Sequence, residues 1–271
     1  MPSRRQFLLG CLGAGVLATP AGWYGTVYEP NDIEVIHRSV AIRNLPSRLN
    51  GLTAVQISDL HVRTMADVHL RMADMVRQLH PDLVLVTGDL VDQQAAVADV
   101  TELLKSFQPP RGVWVVPGNW EHTAGAVDSF SSAFESTDIT LLVNDSAQLD
   151  DGLWIVGVDD PSGWFDHVPE SVRHVPSGAA RIMLAHSPDI ADKIQDVSLD
   201  LILVGHTHGG QINLPLVSGA WLHHGLSGKY VHGMYQLESA RMYVNRGIGT
   251  TTLPIRIGAR PEITHFTFHG I

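Results

Sequence analysis

Five short apolar runs in this chain each break into aspartate, asparagine or histidine. The breaks are Ser58-Asp59-Leu60-His61, Thr87-Gly88-Asp89, Pro117-Gly118-Asn119, Ala185-His186 and Gly205-His206-Thr207-His208. A lone histidine at the end of such a run is usually a satisfied structural residue. Five run ends that all offer imidazole, carboxylate or amide make a donor set. The Asp-x-His and His-x-His spacings put alternate residues on one side of an extended backbone, as two ligands of one ion require. With no thiolate, the set suits Zn, Fe, Mn or Co better than the all-oxygen cages preferred by Ca and Mg. The single cysteine, Cys11, excludes an internal disulfide and a cysteine-ligated metal.

Asp59, His61, Asp89, Asn119, His186, His206 and His208 are too many donors for one tetrahedral ion and suit two ions with a shared bridge. Two divalent ions about 3.5–4 Å apart can hold an attacking hydroxide and polarise a phosphoryl group. The bridge must be an anion with two usable oxygens, and Asp89, central in the series, fits. The expected cofactors are two divalent ions, Mn, Fe or Zn, and the expected partner is a phosphate-ester substrate.

Such donors converge only if the elements before them run side by side. Asp59, Asp89 and Asn119 follow one another at intervals of 30 residues, after strand-like runs at 52–57, 82–86 and 113–116. Between them, Val68, Met72, Met75, Val76 and Leu79, then Val97, Val100, Leu103, Leu104 and Phe107, recur at helical spacing. This is strand–helix–strand repetition, and parallel sheets gather ligands at the carboxyl ends of their strands. The second half is strand-rich, with runs at 141–143, 153–158, 182–185, 201–204, 241–244 and 263–268. A βαβ half followed by a strand-rich half predicts an α/β fold of two packed sheets with helices outside. Irregular stretches at 159–178 and 213–236 are expected to cover or line the site.

Composition is ordinary for a globular chain, 44% apolar and 17% charged, and the net charge is -10. That charge repels nucleic-acid phosphates. No run of Lys or Arg stands outside the extreme N-terminus, so nucleic acid is not an expected partner. Residues 1–30 read as an export signal or N-terminal membrane anchor, with residues 31–271 as a single domain. Arg4-Arg5-Gln6-Phe7 opens the segment in the manner of a twin-arginine signal, and a Gly/Ala/Leu-rich run follows to about Trp23. The extracytoplasmic face of a membrane is the expected location; the cytoplasmic face stays open.

The five blocks, in this order, resemble those of the calcineurin-like metallophosphoesterases, over about Leu52 to Phe268. Gly205-His206-Thr207-His208-Gly209-Gly210-Gln211 and Asn245-Arg246-Gly247-Ile248-Gly249 are similar to the bacterial branch of small membrane-associated phosphoesterases. The resemblance implies a four-layer double β-sandwich flanked by helices. It implies that Asp59, His61, Asp89 and His208 hold one metal and Asp89, Asn119, His186 and His206 the other, with His186 or nearby histidines stabilising the charge that develops on phosphorus. It also implies hydrolysis of a phosphodiester or pyrophosphate bond, with UDP-2,3-diacylglucosamine as one lipid-linked candidate substrate. A metal-containing envelope-binding protein with little turnover is the competing reading.

The chain departs from the family pattern at Trp120. Most members carry histidine there, which assists the leaving group, and an indole N–H cannot exchange a proton near neutral pH. Either His122 substitutes, oriented by Glu121, or the leaving group needs no acid, or turnover is impaired. Among lesser candidates, Trp120 could contact substrate, and Arg246 could bind a substrate phosphate or form a structural ion pair. One of His223 and His224 could face the site, and Trp164 and Phe165 could grip substrate or anchor their loop. Asp92, Asp159 and Asp160 read as surface or loop-capping acids.

Overall fold

The computed structural model describes residues 19–149, 152–194, 197–213 and 229–271. Two six-stranded sheets pack face to face. The first contains β1 (Glu34–Ile42), β2 (Thr53–Ile57), β3 (Leu83–Thr87), β4 (Val113–Val116), β5 (Ile139–Leu141) and β12 (Glu262–Gly270), in the order β1-β12-β2-β3-β4-β5. The second contains β6 (Asp145–Leu149), β7 (Leu153–Gly157), β8 (Ala180–Leu184), β9 (Leu201–Val204), β10 (Gly233–Gln236) and β11 (Arg241–Val244), in the order β10-β11-β9-β8-β7-β6. Strands β2 to β5 are mutually parallel, as are β7, β8, β9 and β11.

The apolar runs are continuous because both faces of the central strands are covered. Along β3, Leu83 and Leu85 face the second sheet while Val84 and Val86 face a helical layer. Along β9, Leu201 and Leu203 face inward while Ile202 and Val204 face out. The helical layer over the first sheet comprises α2 (Asp67–Gln78), α3 (Val97–Lys105), α4 (Asn119–Ala124) and α5 (Val127–Phe134), after a one-turn α1 (Pro20–Trp23). Among the described residues, the outer face of the second sheet carries only a one-turn helix at Val168–Ser171, a 3-10 turn at Pro188–Asp192 and loops. The outcome is the expected double sandwich, with one thick helical flank and one thin one.

Residues before 31, the expected start of the domain, also pack against it. Gly22, Gly25 and Glu29 are buried. Glu29 Oε1 accepts from the Ala259 backbone N–H at 2.6 Å, and Arg256 N–H donates to the Gly25 carbonyl. Close approach to Ile257 requires the glycine at 25, so small residues that read as a signal segment also serve the packing. The remainder of that segment, residues 1–18, lies outside the described residues. Among the described residues no helix is long and apolar enough to cross a membrane.

Candidate metal centre

The donors meet on the rim where β2, β3, β4, β8 and β9 end, in two trios. Asp59, His61 and His208 offer ligand atoms within 4.8 Å of one another, and so do Asp89, His186 and His206. The backbone that aims them is not extended. Asp59, His61, Asp89, His206 and His208 have φ of 52°, 49°, 54°, 71° and 51°, the left-handed region that side chains rarely adopt and that concentrates at functional sites. Asp59 and His61 therefore share a pocket because the chain turns sharply rather than by strand alternation, while His206 and His208 part into different trios. Two glycines give these turns room: a Cβ at 118 would collide with Asp89 Oδ1, and one at 205 with Ser58 Oγ and Asp59 Oδ2.

The hydrogen bonds behind the rings fix which nitrogens face the pockets. His186 Nδ1 lies 2.9 Å from the Thr87 carbonyl, which can only accept, so Nε2 carries the lone pair. That Nε2 faces Asn119 Oδ1 at 3.1 Å, His206 Nδ1 at 3.1 Å and Asp89 Oδ2 at 3.2 Å. His61 Nδ1 lies 2.7 Å from Asp92 Oδ1, which turns its Nε2 toward His208 Nε2 at 3.0 Å and Asp89 Oδ2 at 3.6 Å. Lone pairs thus converge on two points with Asp89 Oδ2 between them. That donor chemistry fits two divalent borderline cations, with His61 and His186 held from behind as metal-binding histidines usually are.

The buried charges at the rim shift one another's protonation. Burial, with Asp89 alongside, raises the Asp59 carboxyl above its ordinary value. Burial also works against the charge of Asp89, but His186 and His61 hold that carboxyl well below the usual range. His186 is raised despite its burial by Asp89 and Asp59, while burial and the neighbouring His186 lower His206. Cation binding in this setting displaces protons.

Glu121 and Trp120 act differently from their sequence reading, and Arg246 takes one of its two. Glu121 does not orient His122. Its buried carboxylate accepts four backbone N–H groups, those of Asp89, Leu90, Val91 and Gly118, and so ties the β3 and β4 loops together. Burial and the Asp89 charge push its carboxyl up to about 7, and the N–H donors offset part of that rise. Replacing Glu121 with alanine strands those donors. At about 1–3 kcal/mol for each uncompensated one, we expect a loss of about 4 kcal/mol or more, read as a lower thermal midpoint. An unchanged midpoint would refute the clamp. Trp120 supports the site instead of working on substrate: its backbone N–H donates to Asp89 Oδ1 at 2.9 Å and its indole packs edge-on against His61. Arg246 is spent on Glu262 and Glu34, each at 2.6 Å, which leaves the structural ion pair. His223 and His224 lie outside the described residues.

The partner of His122 is Asp159, whose Oδ1 lies 2.7 Å from Nε2. Phe165 stacks on the same imidazole, centroids 3.7 Å apart and planes 6° apart. His122 stands three residues after Asn119 on α4, hence on the same helix face. Asp92, read from sequence as a surface or capping acid, has a covered side chain that holds both His61 and Arg63. Its only local signal is its place three residues after Asp89, and its partner is settled by the pairing of two loops.

The calcineurin-like phosphoesterase family model matches residues 52–210. The metallophosphoesterase YkuE of Bacillus subtilis is 34% identical over 98% of this chain and 97% of its own length. The phosphodiesterase YaeI of Escherichia coli is 28% identical over 97% of this chain and 98% of its own. Among solved structures, TT1561 of Thermus thermophilus superposes with a TM-score of 0.50 at 11% identity, covering 73% of this chain and 91% of that one; it is a likeness of fold alone. Family model, relatives and fold agree: the chain belongs to the calcineurin-like phosphoesterases, a metal-dependent family of hydrolases.

Proposed function

We propose that this protein hydrolyses a phosphodiester or pyrophosphate bond of a cell-envelope substrate, held at the outer face of the membrane by its N-terminal segment. The observation that carries the reading is the position of Asp89 Oδ2, 3.2 Å from His186 Nε2 and 3.6 Å from His61 Nε2, where one carboxylate can serve two ions. Divalent ions bound there supply Lewis acidity and an activated water. Asp59, His61 and His208 would hold one ion and Asn119, His186 and His206 the other, with Asp89 common to both. Mn, Fe and Zn all suit these donors.

The chain's own proton chemistry narrows the bond. Asp159 fixes the His122 ring, leaving Nδ1 as the atom able to deliver a proton. An alkoxide leaving group needs that proton. A pyrophosphate, such as that of UDP-2,3-diacylglucosamine, expels a phosphate whose second pKa is about 6 and needs it far less.

Purified protein loaded with Mn, Fe or Zn is expected to turn over bis(p-nitrophenyl) phosphate, to lose that activity to a chelator and to regain it on metal return. Metal bound without turnover of aryl diesters or of the nucleotide-sugar pyrophosphate would overturn the enzymatic reading in favour of envelope binding. Reporter fusions at the C-terminus test the outward orientation.

A further inference from the structure

The loop after β7 is built to present one aromatic side chain. Trp164 is 75% exposed, yet its backbone sits at φ 64°, an unfavourable conformation for a bulky residue that no burial of its indole repays. The loop holds that shape through its neighbours. Buried Asp160 accepts from Ser162 N–H and Gly163 N–H, and its carbonyl accepts from Phe165 N–H. Asn144 donates to the Phe165 carbonyl and accepts from Asp159 N–H and His167 N–H. Phe165 is the anchor, lying flat on His122. Among the described residues Trp164 anchors nothing of comparable size: one face carries the Lys193 ammonium, 4.6 Å from the ring centroid and itself held by Asp166 and the Pro161 carbonyl. The other face is left to the solvent.

Position and electronics together say what that face takes. His122 shares a helix face with Asn119, so the loop stacked on His122 rims the pocket of Asn119, His186 and His206. The ammonium on one side of the indole repels a second cation on the other, which disfavours quaternary-ammonium headgroups, while a π face still stacks with any planar ring. We propose that Trp164, backed by Phe165 and His122, is a stacking platform for a planar ring carried by the phosphate ester, either a nucleobase or an aryl group. This assignment rests on the phosphoesterase reading above.

The test uses full-length, metal-loaded protein and three esters that release the same nitrophenolate: thymidine 5′-(p-nitrophenyl phosphate), phenyl p-nitrophenyl phosphate and ethyl p-nitrophenyl phosphate. Trp164→Ala is expected to raise KM about tenfold for an ester with a second ring, in keeping with base–aromatic stacking, to leave kcat within about twofold and to spare the ethyl ester. Trp164→Phe should recover most of the loss. An effect on the thymidine ester alone identifies a nucleobase, and one on both ring esters a general aryl platform. Equal effects on all three esters, or no effect, would overturn the proposal. Binding is read separately, without turnover, as quenching of tryptophan fluorescence by thymidine 5′-monophosphate or phenyl phosphate but not by butyl phosphate, lost in Trp164→Phe. Quenching without hydrolysis of any ester would sink the enzymatic reading and keep the platform; hydrolysis with quenching indifferent to Trp164 would do the reverse.

Discussion

Asp89→Asn is expected to cost roughly 1,000-fold or more in turnover and to reduce bound metal from two equivalents to one or none. The substitution keeps the shape of the side chain and an oxygen able to accept from Trp120 N–H, now 2.9 Å from Oδ1. What it removes is the negative charge between the two pockets and one of two equivalent oxygens. Metal ions contribute several kcal/mol of charge stabilisation at a phosphoryl centre, and each 1.36 kcal/mol is tenfold in rate. Loss of the bridge also withdraws the carboxylate facing His61 and His186. Elemental analysis beside steady-state kinetics checks both halves of the expectation. Two tightly held metal equivalents in the variant would show that Asp89 is not the shared ligand.

The second large effect depends on the substrate. His122→Ala should slow hydrolysis of an ester with an alkoxide leaving group by about 100-fold or more, the usual range for a positioned acid, and change bis(p-nitrophenyl) phosphate by only a few-fold. Asp159→Asn should follow the same pattern more weakly, because the amide still contacts His122 Nε2 but no longer compensates the imidazolium. Equal losses on both ester types would remove the acid role from His122 and leave a structural one beneath Phe165.

The residues that gather in the two candidate metal groups were legible because each follows its own apolar run, so side-chain chemistry and strand ends coincide in short stretches of sequence. Their orienting partners were not, since Asp92 reaches His61 across 31 residues and Asp159 reaches His122 across 37. Which acid meets which ring is decided by how loops pair. Glu121 was open to a better reading. It stands three residues after Gly118 at the start of α4 and reaches back to that residue's N–H, the placement of a capping-box acid. Adjacency to His122 suggested a partnership that helix geometry forbids, since neighbouring side chains on a helix point apart. Strands β1, β6 and β10 escaped detection because each lies at a sheet edge with much of its length exposed, which blurs the apolar signal. Turns α4 and α5 are too short for helical periodicity to stand out.

Strand β1 lies beside β12 in full register, His37 opposite His265, across 228 residues of sequence. Contacts of such separation close the largest loops the chain can make and slow folding. On the ribosome, β1 waits unpaired until β12 has been made, since β12 is what joins it to β2. Arg256, which packs at 3.3 Å from His208 Nδ1, and Ala259, which donates to Glu29, also arrive late. The contacts behind the first pocket therefore close only after Ala259 has been made, some 50 residues after the last of its three donors, His208.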